Sequence, residues 1–380
     1  MAENSKIEWT DATWNPVRAR RHSHPGGPVT HVGWHCEKVS AGCDNCYAQG
    51  INLRLGTKLA FKPGHLAPRG EVEVFLDEKM LLAPLRWKKP RMIFVNSMTD
   101  SFGRFVTDEM LDRMFAVMAL TPQHTFQVLT KRPERMRAYM TRRVDGALHL
   151  PNSSLAAFRV SRESLDLAVQ MIHEGKTADF DGENVLLRRW PLPNVWLGTS
   201  VEDQATADAR IPELLSTPAA VRFISAEPLL GPVILDDMCD GWKFHDALRG
   251  NWWHDSEPPR IERGKPKLDW VIVGGESGPG ARPMHPDWAR GLRDQCVAAG
   301  VPFFFKQNGE WVSIYDRDRD DPDWRNVPKP GDWDKKRWLN LAGGQGFHGD
   351  KLNMMHRVGK KRAGRLLDGR TWDQMPGVAG

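Results

Sequence analysis

Met92-Ile93-Phe94-Val95 runs straight into Asn96-Ser97-Met98-Thr99-Asp100. Four apolar residues that stop abruptly at polar ones are too few for a helix and lack the alternation of a half-exposed strand. They suit a strand buried on both faces of a parallel sheet. The same unit recurs along the chain. Phe126-Gln127-Val128-Leu129 leads into Thr130-Lys131-Arg132, and Val195-Trp196-Leu197-Gly198 into Thr199-Ser200-Val201-Glu202-Asp203. Arg222-Phe223-Ile224-Ser225 leads into Ala226-Glu227-Pro228, Trp270-Val271-Ile272-Val273 into Gly274-Gly275-Glu276-Ser277, and Pro302-Phe303-Phe304-Phe305 into Lys306-Gln307-Asn308. One more strand is expected between Ile7 and Val17.

Helical patterns lie between these runs. Thr107-Asp108-Glu109 reads as a helix start, with Met110, Met114 and Met118 following at a spacing of four as core residues. Pro286-Asp287-Trp288 opens another helix that ends near Gly300. Strand and helix in alternation predict an α/β fold, a complete or partial TIM-type (β/α) barrel. Three stretches break the rhythm and read as insertions: a basic loop near 18–33, a long connection at 147–193 with a helix around Glu163 to Glu174, and a Trp- and Pro-rich loop or lid at 235–268. The barrel is expected over residues 1–310 and a basic extension over 311–380.

In a (β/α) barrel the residues just after each strand meet at one mouth, where chemistry takes place. Asp100, Glu227 and Lys306 are therefore the catalytic candidates, as groups able to move a proton. Lys131 could hold a carboxylate or phosphate, and Ser200 and Glu202 a ribose. Gly274 and Gly275 allow a backbone to approach a ligand, with Glu276 holding an amine or hydroxyls. Each has a plainer reading: salt bridges around the mouth, or a glycine turn with positive φ.

The 380 residues suffice for two to three domains or one large barrel. Hydrophobic residues at 40% and charged residues at 27% exclude a disordered chain. No apolar run approaches the roughly 18 residues of a membrane span, and the polar start Met1-Ala2-Glu3-Asn4-Ser5-Lys6 has no apolar signal core, so a cytoplasmic location without membrane contact is expected. The net charge of +5 permits a nucleic-acid partner without demanding one. Within Lys351 to Arg370 stand Lys351, Arg357, Lys360, Lys361, Arg362, Arg365 and Arg370, either a phosphate-binding tail or a solvated helix face. Trp242, Trp252 and Trp253 either stack on bases or pack the insertion.

The 5 cysteines make no disulfide framework. Cys36, Cys43 and Cys46 fall within Trp34-His35-Cys36-Glu37-Lys38-Val39-Ser40-Ala41-Gly42-Cys43-Asp44-Asn45-Cys46-Tyr47-Ala48 at the spacing Cys-x6-Cys-x2-Cys. Three thiolates on one short loop can reach a common soft metal centre. A [4Fe–4S] cluster would leave one iron open for a ligand. A structural zinc ion would need a fourth ligand, His35 or a more distant histidine.

Glu8-Trp9-Thr10-Asp11-Ala12-Thr13-Trp14-Asn15-Pro16-Val17, the segment Cys36 to Ala48, and the tail Val358-Gly359-Lys360-Lys361-Arg362-Ala363-Gly364-Arg365-Leu366-Leu367-Asp368-Gly369-Arg370 together resemble the phage- and prophage-associated three-Cys-motif family. That family is in turn similar in layout to the radical SAM barrel enzymes. The resemblance implies that Cys36, Cys43 and Cys46 ligate a [4Fe–4S] cluster whose open iron binds S-adenosylmethionine. It also implies that reductive cleavage releases a 5′-deoxyadenosyl radical, and that Gly274-Gly275-Glu276, on a late strand, contacts adenine and ribose. The common spacing there is Cys-x3-Cys-x2-Cys, so the first gap here is longer. The expected function is a radical SAM-type enzyme acting on nucleic acid or a nucleotide in phage-related DNA modification or repair, with a possible partner protein encoded nearby. The alternatives are a zinc-stabilised nucleic-acid-binding protein without catalysis, and an inactive barrel that keeps the cluster for structure.

Overall fold

The apolar runs fold as the strands of one seven-stranded sheet: β1 (Ala12–Trp14), β2 (Met92–Val95), β3 (Thr125–Thr130), β4 (Val195–Ser200), β5 (Val221–Ala226), β6 (Trp270–Gly274) and β7 (Phe303–Gln307). The computed structural model describes residues 5, 7–64, 72–145, 179–180, 185–186, 191–240, 243–254, 260–317, 335–345 and 349–377. Sheet order equals chain order, β1-β2-β3-β4-β5-β6-β7, so each strand is followed by its neighbour. The ladders β1–β2, β2–β3, β3–β4, β5–β6 and β6–β7 are parallel. Every residue of β4 and β6 is buried, as a doubly covered strand requires. The parallel α/β expectation therefore holds. β1 and β7 end the order and no ladder joins them among the described residues, so the architecture is a seven-stranded parallel sheet and not a demonstrated closed barrel.

The helices are α1 (Tyr47–Leu55), α2 (Asp108–Ala119), α3 (Pro133–Asp145), α4 (Gln204–Leu215) and α5 (Pro286–Ala299), beside single turns at Glu78–Leu81 and Lys360–Ala363. None is long and apolar enough to cross a membrane among the described residues. The chain groups into two compact units: residues 1–40, 46–199 and 216–222, and residues 41–45, 200–215 and 223–380.

In the first unit Trp9, Trp14, Ile93, Val95, Phe126 and Val128 are buried around β1, β2 and β3. Trp9 packs on Phe94 and Trp14 on Phe126, with centroids 4.7 and 5.6 Å apart. Helix α2 starts as read: Thr107 Oγ1 accepts from Met110 N at 3.2 Å, and Met114 and Met118 are buried while Met110 is half-exposed. The stretch 18–33, expected as a loop, is a β-hairpin (Val17–His22 with Val29–Gly33), and Val72–Leu76 pairs with its first strand. Val17 and Ala19 supply a buried alternate face, and the turn is eased by Gly26 at φ +74°. Its arginines lie on rings: Arg18 over Trp34 at 4.4 Å and Arg20 over Phe75 at 3.6 Å. The helix expected around Glu163 to Glu174 lies outside the described residues.

In the second unit β5, β6 and β7 pack Phe223, Ile224, Val271, Ile272, Phe303 and Phe304 into the core. Each such buried Phe contributes roughly 1.5–3 kcal/mol. The 235–268 segment, expected as a loop or lid, is a four-stranded antiparallel sheet: Met238–Asp240, Lys243–Asp246, Asn251–His254 and Ile261–Glu262. Cross-strand aromatic pairs such as Phe244 with Trp253 account for it. From Trp311 the chain adds a three-stranded sheet of Trp311–Arg317, Lys336–Leu339 and Leu352–Arg357. The final segment then lies along β7: Phe305 N donates to Trp372 O at 2.9 Å and Gln374 N to Phe303 O at 3.2 Å. That covers an edge strand that would otherwise offer unpaired backbone groups.

Candidate functional site

Each unit gathers polar side chains just beyond its parallel strands. In the first unit Asp100, after β2, accepts four hydrogen bonds. Phe102 N and Thr130 Oγ1 donate to Oδ1 at 2.9 and 2.6 Å, and Lys131 N and Arg132 Nη1 to Oδ2 at 3.1 and 2.8 Å. The carboxylate is thus an anchor between two strand ends. Lys131 reaches it through its backbone. The cation is the neighbouring Arg132, whose other Nη lies 3.3 Å from Glu37 Oε2. Burial opposes the charge on Arg132, but Asp100, Cys36 and Glu37 outweigh it and raise the guanidinium above its ordinary value. Thr99 Oγ1 donates to the carbonyl of His35, and the His35 ring stands edge-on to Phe105 at 4.7 Å. Cys36 and Cys46 pack with Trp34 and Ile51 around Ala48, Phe61 and Met98, and Cys46 is the residue that opens α1.

In the second unit the acids after β4 and β6 serve a loop. Glu202 is fully buried; its Oε2 pairs with Arg210 at 2.9 Å, while Arg210 also holds the Ser200 carbonyl at 2.8 Å. A Cβ at Gly42 would lie 2.5 Å from Glu202 Oε1, so a larger residue there would push the Glu202 carboxylate out of place. Glu276 accepts Asn45 Nδ2 at 3.0 Å, Arg282 N at 2.8 Å and the Arg282 side chain at 2.9 and 2.7 Å. Arg282 Nη2 donates to Ala41 O at 2.8 Å, and Asn45 Nδ2 also reaches Gly280 O at 2.8 Å. The hydrogen bonds that Arg282 donates to Glu276, with Asp44 and Glu202 nearby, keep Arg282 above its ordinary pKa despite burial. Cys43 sits in the middle of the loop these contacts hold.

Glu227, after β5, meets the end of β7. Lys306 Nζ donates to both of its oxygens at 2.7 and 2.9 Å, and Gln307 Nε2 to Oε1 at 3.1 Å. The carboxylate lies over Gly274, where a Cβ would be 3.3 Å from it. At Gly275 a Cβ would strike the Asn308 carbonyl. Neither glycine has positive φ, so both are explained by close packing and not by a left-handed turn. Gln307 is 3% exposed and its Oε1 has no hydrogen-bond partner.

Residues 4–376 match the family described as protein of unknown function, DUF5131. This chain belongs to the DUF5131 family. No curated protein and no solved structure matches it.

Among the described residues of this DUF5131 protein, no three or more His, Cys, Asp or Glu side chains are drawn together to hold a metal ion. Cys36, Cys43 and Cys46 form no disulfide with one another, Cys43 being buried and the other two half-buried. They suit a thiophilic group by chemistry, without standing as a finished ligand shell. The tail from Lys351 to Arg370 is a strand and a turn, not a helix face. Lys351 pairs with Asp287 at 3.0 Å, Arg357 holds Gly278 O and Pro279 O, Arg365 pairs with Asp373, and Arg370 lies over Trp372 at 3.5 Å. Arg132 and Gln307 stand in the polar runs Thr130-Lys131-Arg132 and Lys306-Gln307 that follow their strands, and the structure makes both of them partners of strand-end carboxylates. The sequence reading passed over Glu37, Asn45, Arg210 and Arg282. Glu37, Asn45 and Arg282 are set by contacts between segments far apart in the chain.

Proposed function

We propose that this DUF5131 protein is an iron–sulfur enzyme of the radical SAM type that acts on nucleic acid or a nucleotide, in phage-related modification or repair of DNA. The observation that carries the reading is the anchoring of the Cys43 loop at the end of a parallel strand through Glu276 and Arg282, in a chain whose fold puts chemistry at such ends. Cys36, Cys43 and Cys46 would hold a [4Fe–4S] cluster. When bound with S-adenosylmethionine, such a cluster supplies the electron that splits the sulfonium and opens radical chemistry on a substrate C–H bond.

The chain's own residues divide the remaining work. Arg132 places a buried guanidinium charge beside the Cys36 segment, held by Asp100 and Glu37. Glu276, Asn45 and Arg282 fix the Cys43 loop, and Glu202 closes in on Gly42 behind it. Glu276 and Glu202 act on the loop in this reading instead of on a ribose. The Glu227–Lys306 pair, partly open to solvent at the ends of β5 and β7, is left to orient or protonate substrate. A cytoplasmic location agrees with thiols that must stay reduced.

The test is anaerobic purification followed by iron, sulfide and zinc analysis with a visible spectrum, beside a triple alanine variant of the three cysteines. About four irons and four sulfides per chain, with a brown chromophore lost in the variant, are expected. Roughly one zinc and no colour would overturn the reading in favour of a zinc-stabilised binding protein. A cluster that never cleaves S-adenosylmethionine would leave a structural cluster in a partner subunit.

A further inference from the structure

The four-stranded insertion of the second unit presents a row that none of the groups above uses. Its registers place Cys239 opposite Phe244, Phe244 opposite Trp253, and Trp253 opposite Ile261. Directly opposed residues share a face, so these four side chains cross all four strands on one side. The other side carries Met238, His245, Trp252 and Glu262, and there Met238 and His245 are 1% and 4% exposed. The Met238 side is therefore turned inward and the Phe244 side outward. Along the outward row Cys239 is exposed, Ile261 is 49% exposed, and Phe244 and Trp253 are half-buried.

The two rings lie parallel, 9° apart in plane with centroids 5.9 Å apart. Glu262 belongs to the inward side, where it pairs with Lys265 at 2.7 Å, whereas the exposed Asp237 alternates onto the Cys239 side. Asp246 is buried and engaged by Arg249 at 2.9 Å and by two backbone N–H groups. Arg263 is exposed and stands two residues after Ile261, on the Ile261 side by alternation. Flat parallel rings with a cation at their edge complement a strand of bases with a phosphate backbone.

We propose that this face binds single-stranded nucleic acid, with bases stacked on Phe244 and Trp253 and phosphate against Arg263. The inference rests on the proposed nucleic-acid substrate and is independent of the cluster. The test is fluorescence anisotropy of a labelled oligothymidylate with the full chain at low salt. Wild type binds and weakens as salt rises. Trp253→Leu and Phe244→Leu, which keep apolar contact so that the insertion stays folded, each weaken binding about tenfold. Arg263→Gln lowers the dependence of log affinity on log salt by about one. Leu variants that bind like wild type overturn the proposal. So does a wild-type chain with no affinity for the oligonucleotide, a result that would give the face to a protein partner. The cysteine triple alanine variant retains the oligonucleotide here, so a missing cluster with intact binding rejects only the radical reading. A loaded cluster with no binding rejects only this one.

Discussion

Arg282 Nη2 donates to the carbonyl of Ala41 at 2.8 Å, across 241 positions of sequence. The bond ties the turn that follows β6 to the loop that carries Cys43. Because Arg282 is held in turn by Glu276, which also accepts from Asn45, a buried carboxylate and one guanidinium together determine where that loop lies.

Arg282→Ala should release the loop and leave the Glu276 carboxylate buried with fewer donors, at a cost of about 1–3 kcal/mol. Thiol alkylation followed by peptide mapping should show Cys43 labelled severalfold faster than in wild type, with a lower midpoint of unfolding. An unchanged Cys43 rate would remove Arg282 from this role.

Arg132 is the shared cation of Asp100 and Glu37, whose side chains are 8% and 6% exposed. Arg132→Met strands two buried carboxylates, and chemical denaturation should report a loss of about 3–5 kcal/mol. Arg132→Lys should recover only part of it, since one ammonium cannot fork between two acids. A loss below about 1 kcal/mol in the Met variant would contradict the arrangement.

Glu227 and Lys306 form a largely buried pair, and Lys306 reaches both carboxylate oxygens. Glu227→Gln and Lys306→Met should each destabilise the protein, and the double variant should lose less than the sum of the two. The coupling in a double-mutant cycle is expected at about 1–3 kcal/mol. Strict additivity would mean that the pair does not form in solution.

His285 opens α5, accepting Asp287 N on Nδ1 at 3.1 Å while Nε2 faces the Lys351 carbonyl at 2.7 Å. Burial holds its pKa below the ordinary value of 6.5. The folded state therefore binds the proton less readily than the unfolded state. The stabilisation is complete above pH 6.5 and declines as pH falls below it, because protonating Nδ1 also removes the helix cap. Thermal unfolding followed from neutral pH to about pH 5 should show this loss, and His285→Asn, which retains a capping oxygen, should show less of it.

Burial pushes the Cys296 thiol up to about 12, whereas Cys239 is exposed. Iodoacetamide at neutral pH should modify Cys239 readily and Cys296 only after denaturation. Labelling of Cys296 in the folded protein would show that α5 opens.

Most strands of the parallel sheet were legible because burial on both faces writes a mostly apolar run into the chain, most plainly in β2, β4, β6 and β7. The starts of α2 and α5 were legible through Thr107 and Pro286, because capping is a local matter. The insertions were not. The hairpin at Val17–His22 and the sheet around Phe244 and Trp253 mix arginine, histidine and glycine with aromatics, and their strand character comes from partners across the turn.

The candidate residues divide in the same way. By itself the sequence determined which side chains follow strands, and so brought Asp100, Glu202, Glu227, Glu276 and Lys306 to strand ends. Only the tertiary structure decided what each of them does there. Asp100 and Glu276 became anchors because Arg132, Arg282 and Asn45 occupy their oxygens, and Glu227 became half of an ion pair because β7 delivers Lys306 to it. Strand burial is recorded locally, in consecutive apolar residues. A carboxylate's partners are chosen by the fold, which sets residues from six to more than two hundred positions apart at hydrogen-bonding distance.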